Sequence, residues 1–142
     1  MYLKGKSRRG PSFREAILMH SVSRIAFKGL INNIQTSWVK MGPEGVQACL
    51  NAGANDIGGT LMNESITRAA GADHGQEWHP QGIEETIICM VRIPKMRTTS
   101  YDEAPQSRRE LAFRASTLKQ IENTTAAKLQ RSKKLDNIAQ VL

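Results

Sequence analysis

Hydrophobic and polar positions along this chain switch repeatedly between helical and extended spacing. Pro11 and Ser12 precede Leu18, Val22 and Ile25, which share one face of a helix, and Ser12 with Glu15 has the spacing of a capping box. Gly29 closes that helix. From Leu30 to Val39 the period falls to two: Ile34, Thr36 and Trp38 lie on one side, Asn33, Gln35 and Ser37 on the other. A strand with one polar face is the expectation. Gly42 and Pro43 begin the next helix, Pro43 at the first helical position; Val46, Cys49 and Leu50 form its apolar stripe and Gly53 stops it. A short second strand, Ala54 to Ile57, follows and runs into Gly58, Gly59 and Thr60.

Beyond it, Asn63 has the character of an N-cap for a helix through Ile66 to Ala70, closed by Gly71. Ala72 to His79 reads as a loop. Ile83, Ile87 and Met90 mark a helix from about Pro80, which Pro94 prevents from continuing. Lys95 to Tyr101, with Thr98 and Thr99, has the composition of a last strand. Helices alternating with strands imply parallel pairing and an α/β fold, either doubly wound or a (β/α)8 barrel. The polar face of the first strand favours a barrel with a ligand-holding lumen, since a filled core or an open parallel sheet would demand nearly continuous Val, Ile and Leu. Residues 1–101 are thus read as strands and helices of an incomplete barrel. Residues 102–142, with Leu111, Leu118, Ile121, Leu129, Leu135 and Ile138 at broken helical intervals, are read as a charged helical or partly ordered tail.

Composition changes this picture little. The chain has 142 residues, 39% of them hydrophobic, and a formal net charge of +7. Its basic residues crowd the two ends, Lys4 to Lys28 and Arg97 to Lys134, while the stretch from Gly29 to Met96 is acid-rich. Such a distribution fits solvated faces and tails better than a nucleic-acid footprint. No signal-peptide pattern or membrane-length apolar run is present, so a cytoplasmic chain is expected. Cys49 and Cys89, each on an amphipathic stretch, read as buried thiols; two distant cysteines cannot assemble a metal centre by themselves.

Candidate chemistry gathers at the strand ends. Gln35, Ser37, Trp38 and Lys40 offer an amide, a hydroxyl, an aromatic face and an ammonium. Asn55, Asp56, Gly58, Gly59, Thr60, Asn63 and Glu64 combine polar side chains with glycines that let a ligand approach the backbone. Plainer readings compete: Gly58 and Gly59 as turn residues, Lys40 as an exposed charge, Trp38 as core. The stretch has neither the GK(S/T) ending of a P-loop nor a GxGxxG fingerprint. His74, Glu77 and His79 are close in sequence but lack metal-ligand spacing. No nucleophile, triad or carboxylate pair stands out.

Three strings, MYLKGKSRRGPSFREAILMHSVSRIAF, NNIQTSWVKMGPEGVQACLNAGANDIGGTLMNESITRAAGADHGQE and PKMRTTSY, resemble the C-terminal part of the FO synthase family, in its 4-hydroxyphenyl transferase component. The resemblance runs from about Tyr2 to Tyr101. It implies a radical S-adenosylmethionine enzyme with a TIM-like barrel, which joins the 4-hydroxybenzyl group of tyrosine to 5-amino-6-(D-ribitylamino)uracil in the biosynthesis of deazaflavin coenzyme F-420. It also implies a 4Fe–4S cluster held by a CxxxCxxC loop, which this chain lacks. A missing barrel portion, in the same or a separate chain, is therefore an expected partner. By the same resemblance Gln35, Ser37, Lys40, Asn55, Asp56, Gly59, Thr60, Asn63 and Glu64 contact substrate or S-adenosylmethionine, with Asn55, Asp56, Gly59 and Thr60 foremost. Arg97 and Thr98 lie in a motif of the family's terminal strand. Two alternatives stand beside this: a menaquinone-pathway radical enzyme of the futalosine branch, and a non-catalytic basic binding protein.

Overall fold

The computed structural model describes residues 10–60, 64–69, 71, 72 and 74–119. The chain divides into two compact units, Met1–Gly58 and Gly59–Leu142.

In the first unit, helix α1 (Phe13–Ala26) starts as its sequence demands. Ser12 Oγ accepts from the Glu15 amide at 3.3 Å and Glu15 Oε2 accepts from the Ser12 amide at 2.7 Å, closing the capping box. Gly29, at φ 79°, lies in the turn that ends it. Leu18 and Ile25 are 57% and 77% exposed; the half-buried positions include Ile17, His20, Ser21 and Arg24, about one turn apart on the other side. His20 and Arg24 meet the next helix and the turn after it.

Strand β1 is Gln35–Thr36, far shorter than the ten residues of the periodic stretch. Trp38 and Val39 belong instead to α2 (Trp38–Asn51). The Ser37 carbonyl accepts from the Lys40 and Met41 amides, and once these bonds form the chain coils away from the ladder. Leu30 and Ile31 are exposed, and among the described residues no strand pairs with them. Gly42, at φ 68° and ψ 173°, interrupts α2, so the helix effectively restarts at Pro43. That position suits proline, whose missing N–H is not needed in a first turn. Val46, Cys49 and Leu50 are buried as the stripe requires. Gly53, at φ 117°, ends the helix with Arg24 Cβ only 2.9 Å from the place its own Cβ would occupy, so no other residue fits there unstrained.

Strand β2 (Asp56–Ile57) returns parallel to β1, with Gln35 opposite Asp56 and Thr36 opposite Ile57. Two parallel strands joined by a helix form the expected βαβ crossover. The core of this unit is Thr36, Trp38, Val39, Val46, Cys49, Leu50 and Ala54.

The second unit is built from short helices. α3 (Ser65–Ala69) is capped by Glu64, whose Oε2 accepts from the Thr67 amide at 2.9 Å; Asn63, the expected cap, lies outside the described residues. Gly71, at φ 103°, follows as a stop. α4 (Pro80–Cys89) begins with His79 Nδ1 accepting from the Gln81 amide at 3.4 Å, and ends at Met90, short of Pro94. Cys89 is exposed, contrary to its expected burial, because α4 presents no fully buried face. Lys95 to Tyr101 adds no strand to the sheet. Its backbone turns back on itself through one antiparallel bridge, Arg97 to Glu103, with the Thr98 amide donating to the Asp102 carbonyl at 2.8 Å. Tyr101 takes φ 67° at the turn, and the Arg97 guanidinium sits 4.3 Å from its ring centroid, a cation–π contact. α5 (Gln106–Arg114) is held to α4 by Arg109 and Glu84 at 2.9 Å. The remaining tail positions, 120–142, lie outside the described residues.

Candidate functional site

Parallel pairing puts the C-terminal ends of β1 and β2 side by side, and the register decides which polar groups meet there. Gln35 and Asp56 are direct partners, and Gln35 Nε2 donates to Asp56 Oδ2 at 3.0 Å. Asp56 is 9% exposed whereas Gln35 is exposed. The amide therefore supplies one hydrogen bond to a carboxylate that the strand largely buries. Between them in sequence, Thr36 is fully buried and its Oγ1 finds no hydrogen-bond partner among the described residues. The Gly58 amide donates to the Thr36 carbonyl at 3.1 Å, which carries the ladder one step past β2.

Ser37 and Lys40 follow β1 on the first turn of α2, and both are exposed. The Ser37 hydroxyl makes no capping bond. Trp38, in contrast, is 2% exposed and belongs to the core.

Asn55 has a different setting. Its Oδ1 accepts from Arg24 Nη2 at 2.5 Å and from the Ile34 amide at 2.8 Å. Its Nδ2 donates to the Asn32 carbonyl at 3.3 Å and to Asn33 Oδ1 at 3.2 Å. Arg24 completes the network, Nε to the Gly53 carbonyl at 2.7 Å and Nη1 to the Asn32 carbonyl at 2.9 Å. Four hydrogen bonds leave the Asn55 amide engaged in joining α1 to the approaches of both strands. Sequence reasoning did not single out Arg24, since a lone arginine late in an amphipathic helix has no distinguishing pattern.

In the second unit, Gly59 and Thr60 are exposed, and a Cβ built on Gly59 would meet nothing within 4 Å. Glu64 caps α3 as described, and Asn63 falls outside the described residues. His74, Glu77 and His79 do not converge: Glu77 Oε2 accepts from the Leu118 amide at 2.7 Å, and His79 Nε2 lies 3.1 Å from the Ala115 carbonyl. Among the described residues no three His, Cys, Asp or Glu side chains are grouped as a metal site would require. Cys49 Sγ is 3.7 Å from His20 Nδ1, but that nitrogen is 2.7 Å from the Ala16 carbonyl, to which it donates. The thiol thus gains no base. The first unit can offer hydrogen bonds and charge to a polar ligand, through Gln35, Ser37, Lys40 and Asp56, without a nucleophile and base of its own.

Residues 3–111 match the family model described as the CofH/MqnC C-terminal region. The chain is 50% identical over 101 residues to the 5-amino-6-(D-ribitylamino)uracil--L-tyrosine 4-hydroxyphenyl transferase of Methanocaldococcus jannaschii, covering 71% of this chain and 28% of that protein. It is 47% identical over 102 residues to the protein of the same name from Methanopyrus kandleri, covering 72% of this chain and 28% of that protein. With the FO synthase of Mycobacterium leprae it shares 45% identity over 101 residues, 71% of this chain and 12% of that protein. The chain thus spans about a quarter of the length of the transferases it matches. No solved structure gives a significant match.

Proposed function

The chain belongs to the CofH/MqnC C-terminal-region family, and from that premise we propose that it is the C-terminal portion of a 4-hydroxyphenyl transferase of the FO synthase type. The observation that carries this reading is the identity of about half of all aligned positions to proteins named for that reaction. The reaction joins the 4-hydroxybenzyl group of L-tyrosine to 5-amino-6-(D-ribitylamino)uracil. The futalosine-branch alternative is not favoured, since these relatives carry the transferase and FO synthase names.

In this proposal residues 1–101 are late strands and helices of a TIM-like barrel, residues 102–142 are an appended tail, and the location is cytoplasmic. The βαβ unit of β1, α2 and β2 supports the barrel assignment, since such units with ligand groups beyond the strand C-termini are what a parallel barrel repeats. The donor set does not fit a 4Fe–4S cluster: Cys49 is enclosed in the core and Cys89 stands exposed on α4, in the other unit. Cluster ligands belong to the remainder of the enzyme, a barrel portion in the same or a separate chain. In the complete enzyme S-adenosylmethionine, given one electron by that cluster, would supply the 5′-deoxyadenosyl group that takes hydrogen from tyrosine. This chain's part is to bind and orient. Gln35, Ser37, Lys40 and Asp56 offer polar groups from the first unit, and Gly59, Thr60 and Glu64 from the second. Asn55 fixes the backbone that carries Asp56.

The test is replacement. The corresponding C-terminal segment of the Methanocaldococcus jannaschii transferase is exchanged for this chain, iron is reconstituted anaerobically, and product is measured by mass spectrometry. Formation of the tyrosine–uracil adduct is expected. A hybrid that holds its iron and S-adenosylmethionine yet forms no adduct would overturn the reading.

A further inference from the structure

Among its described residues the second unit buries two nitrogen atoms that have no hydrogen-bond partner. Arg68 is 8% exposed; its Nε donates to the Glu64 backbone carbonyl at 3.0 Å, but its buried Nη1 has no acceptor. His74 Nε2 is likewise buried and unpartnered. Gly75 ties the two segments together. A Cβ placed on it would lie 3.6 Å from Arg68 Cγ and 3.6 Å from Glu64 Oε2, so the turn carrying His74 is folded against the arginine stem.

A guanidinium remains charged at every accessible pH, and an enclosed one without a counter-ion is strongly disfavoured. Among the described residues no counter-ion meets Nη1, and an anion is the kind of group that would. Guanidinium geometry matches a planar carboxylate, and an imidazole N–H can serve the second oxygen. Glu64 stands beside the same turn and would repel a doubly charged phosphate, while a zwitterion brings a compensating ammonium. We propose that Arg68, assisted by His74, binds the carboxylate of an amino-acid ligand. The choice of L-tyrosine as that amino acid rests on the transferase reading; the carboxylate site does not. Binding there changes the surroundings of the Glu64, Arg68 and Gly75 backbone amides along with the side chain.

The experiment is an NMR titration of the unmodified, isotopically labelled 142-residue chain, following the Arg68 Nε–H resonance at constant ionic strength. The probes are L-tyrosine, L-tyrosinamide and acetate, against chloride. L-tyrosine and acetate are expected to shift Arg68 saturably, with tyrosinamide binding at least about tenfold more weakly than L-tyrosine, as loss of a charge-assisted hydrogen bond implies. His74→Gln should weaken tyrosine binding while leaving the fold's amide pattern in place. Acetate acting without tyrosine would uphold the carboxylate site and overturn tyrosine as its ligand. Tyrosinamide equal to tyrosine, or no response beyond chloride, would overturn the site itself and leave the transferase reading standing.

Discussion

Arg24 and Arg68 are both helical arginines with partly or largely covered side chains, and they end in opposite states. Arg24 directs Nε, Nη1 and Nη2 to the Gly53 carbonyl, the Asn32 carbonyl and Asn55 Oδ1. Arg68 spends one nitrogen on the Glu64 carbonyl and leaves Nη1 buried and bare. Their surroundings differ in the same sense. The first unit has a contiguous apolar core around Trp38, Val46 and Cys49. In the second, α4 and α5 bury no residue fully, and Arg68 and Gly75 are the buried positions among the described residues. The first unit answers its arginine from within, though Thr36 Oγ1 stays unpartnered; in the second, Arg68 Nη1 has no acceptor among the described residues. In a segment spanning about a quarter of its relatives' length, the first kind of region holds the described apolar core, and the second is where the proposed carboxylate site lies.

The contrast can be broken most forcefully in the core. Trp38→Ala empties a site of 2% exposure and should cost about 3–5 kcal/mol in urea unfolding; a loss below about 1 kcal/mol would mean the first unit is not self-supporting. A matched pair of substitutions sharpens it. Arg24→Met removes three hydrogen bonds and takes from the Gly53 carbonyl its arginine donor, and should destabilise by about 2–3 kcal/mol. Arg68→Met removes an unanswered charge and should leave stability unchanged or raise it by about 1 kcal/mol. Equal losses in thermal unfolding would end the distinction between the two arginines. Ser12→Ala, which opens the capping box, should lower stability by about 1 kcal/mol and show as faster amide exchange in the first turn of α1. Smallest is Arg109→Ala: its partly exposed pair with Glu84 is worth no more than about 1 kcal/mol and should fade with added salt. A salt-independent loss would point to packing between α4 and α5 instead.

What could be read from the chain follows a physical division. Local signals were legible. Ser12 and Glu15 announced the start of α1, Pro43 and Gly53 bracketed the main part of α2, Pro80 opened α4, and Val46, Cys49 and Leu50 identified the buried stripe. Each depends on groups within about one or two helical turns, where backbone geometry alone fixes who meets whom. The alternation of strand and helix announced parallel pairing for the same reason.

Signals that depend on partners elsewhere were not legible. The periodic stretch Leu30 to Val39 contributes only Gln35–Thr36 to the ladder, because a strand is as long as its neighbour and β2 offers two residues. Thr98 and Thr99 have strand composition, yet the segment folds into a turn in which the Thr98 amide donates to the Asp102 carbonyl. Cys89 lies on an amphipathic pattern, yet no element covers it. At the candidate site, residue type pointed to both Asn55 and Asp56; register pairs Asp56 with Gln35, while Arg24, distant in sequence, draws Asn55 into the scaffold.

Sequence by itself therefore determined the order of elements, their caps and breaks, the apolar stripe of α2 and the family to which the chain belongs, since all of these are local or are patterns along the chain. Tertiary structure decided the length of each strand, which polar side chains are consumed, and that Arg24 is answered while Arg68 is not. Those outcomes turn on which groups meet across long separations in sequence, and hydrogen-bond satisfaction is settled only where they meet.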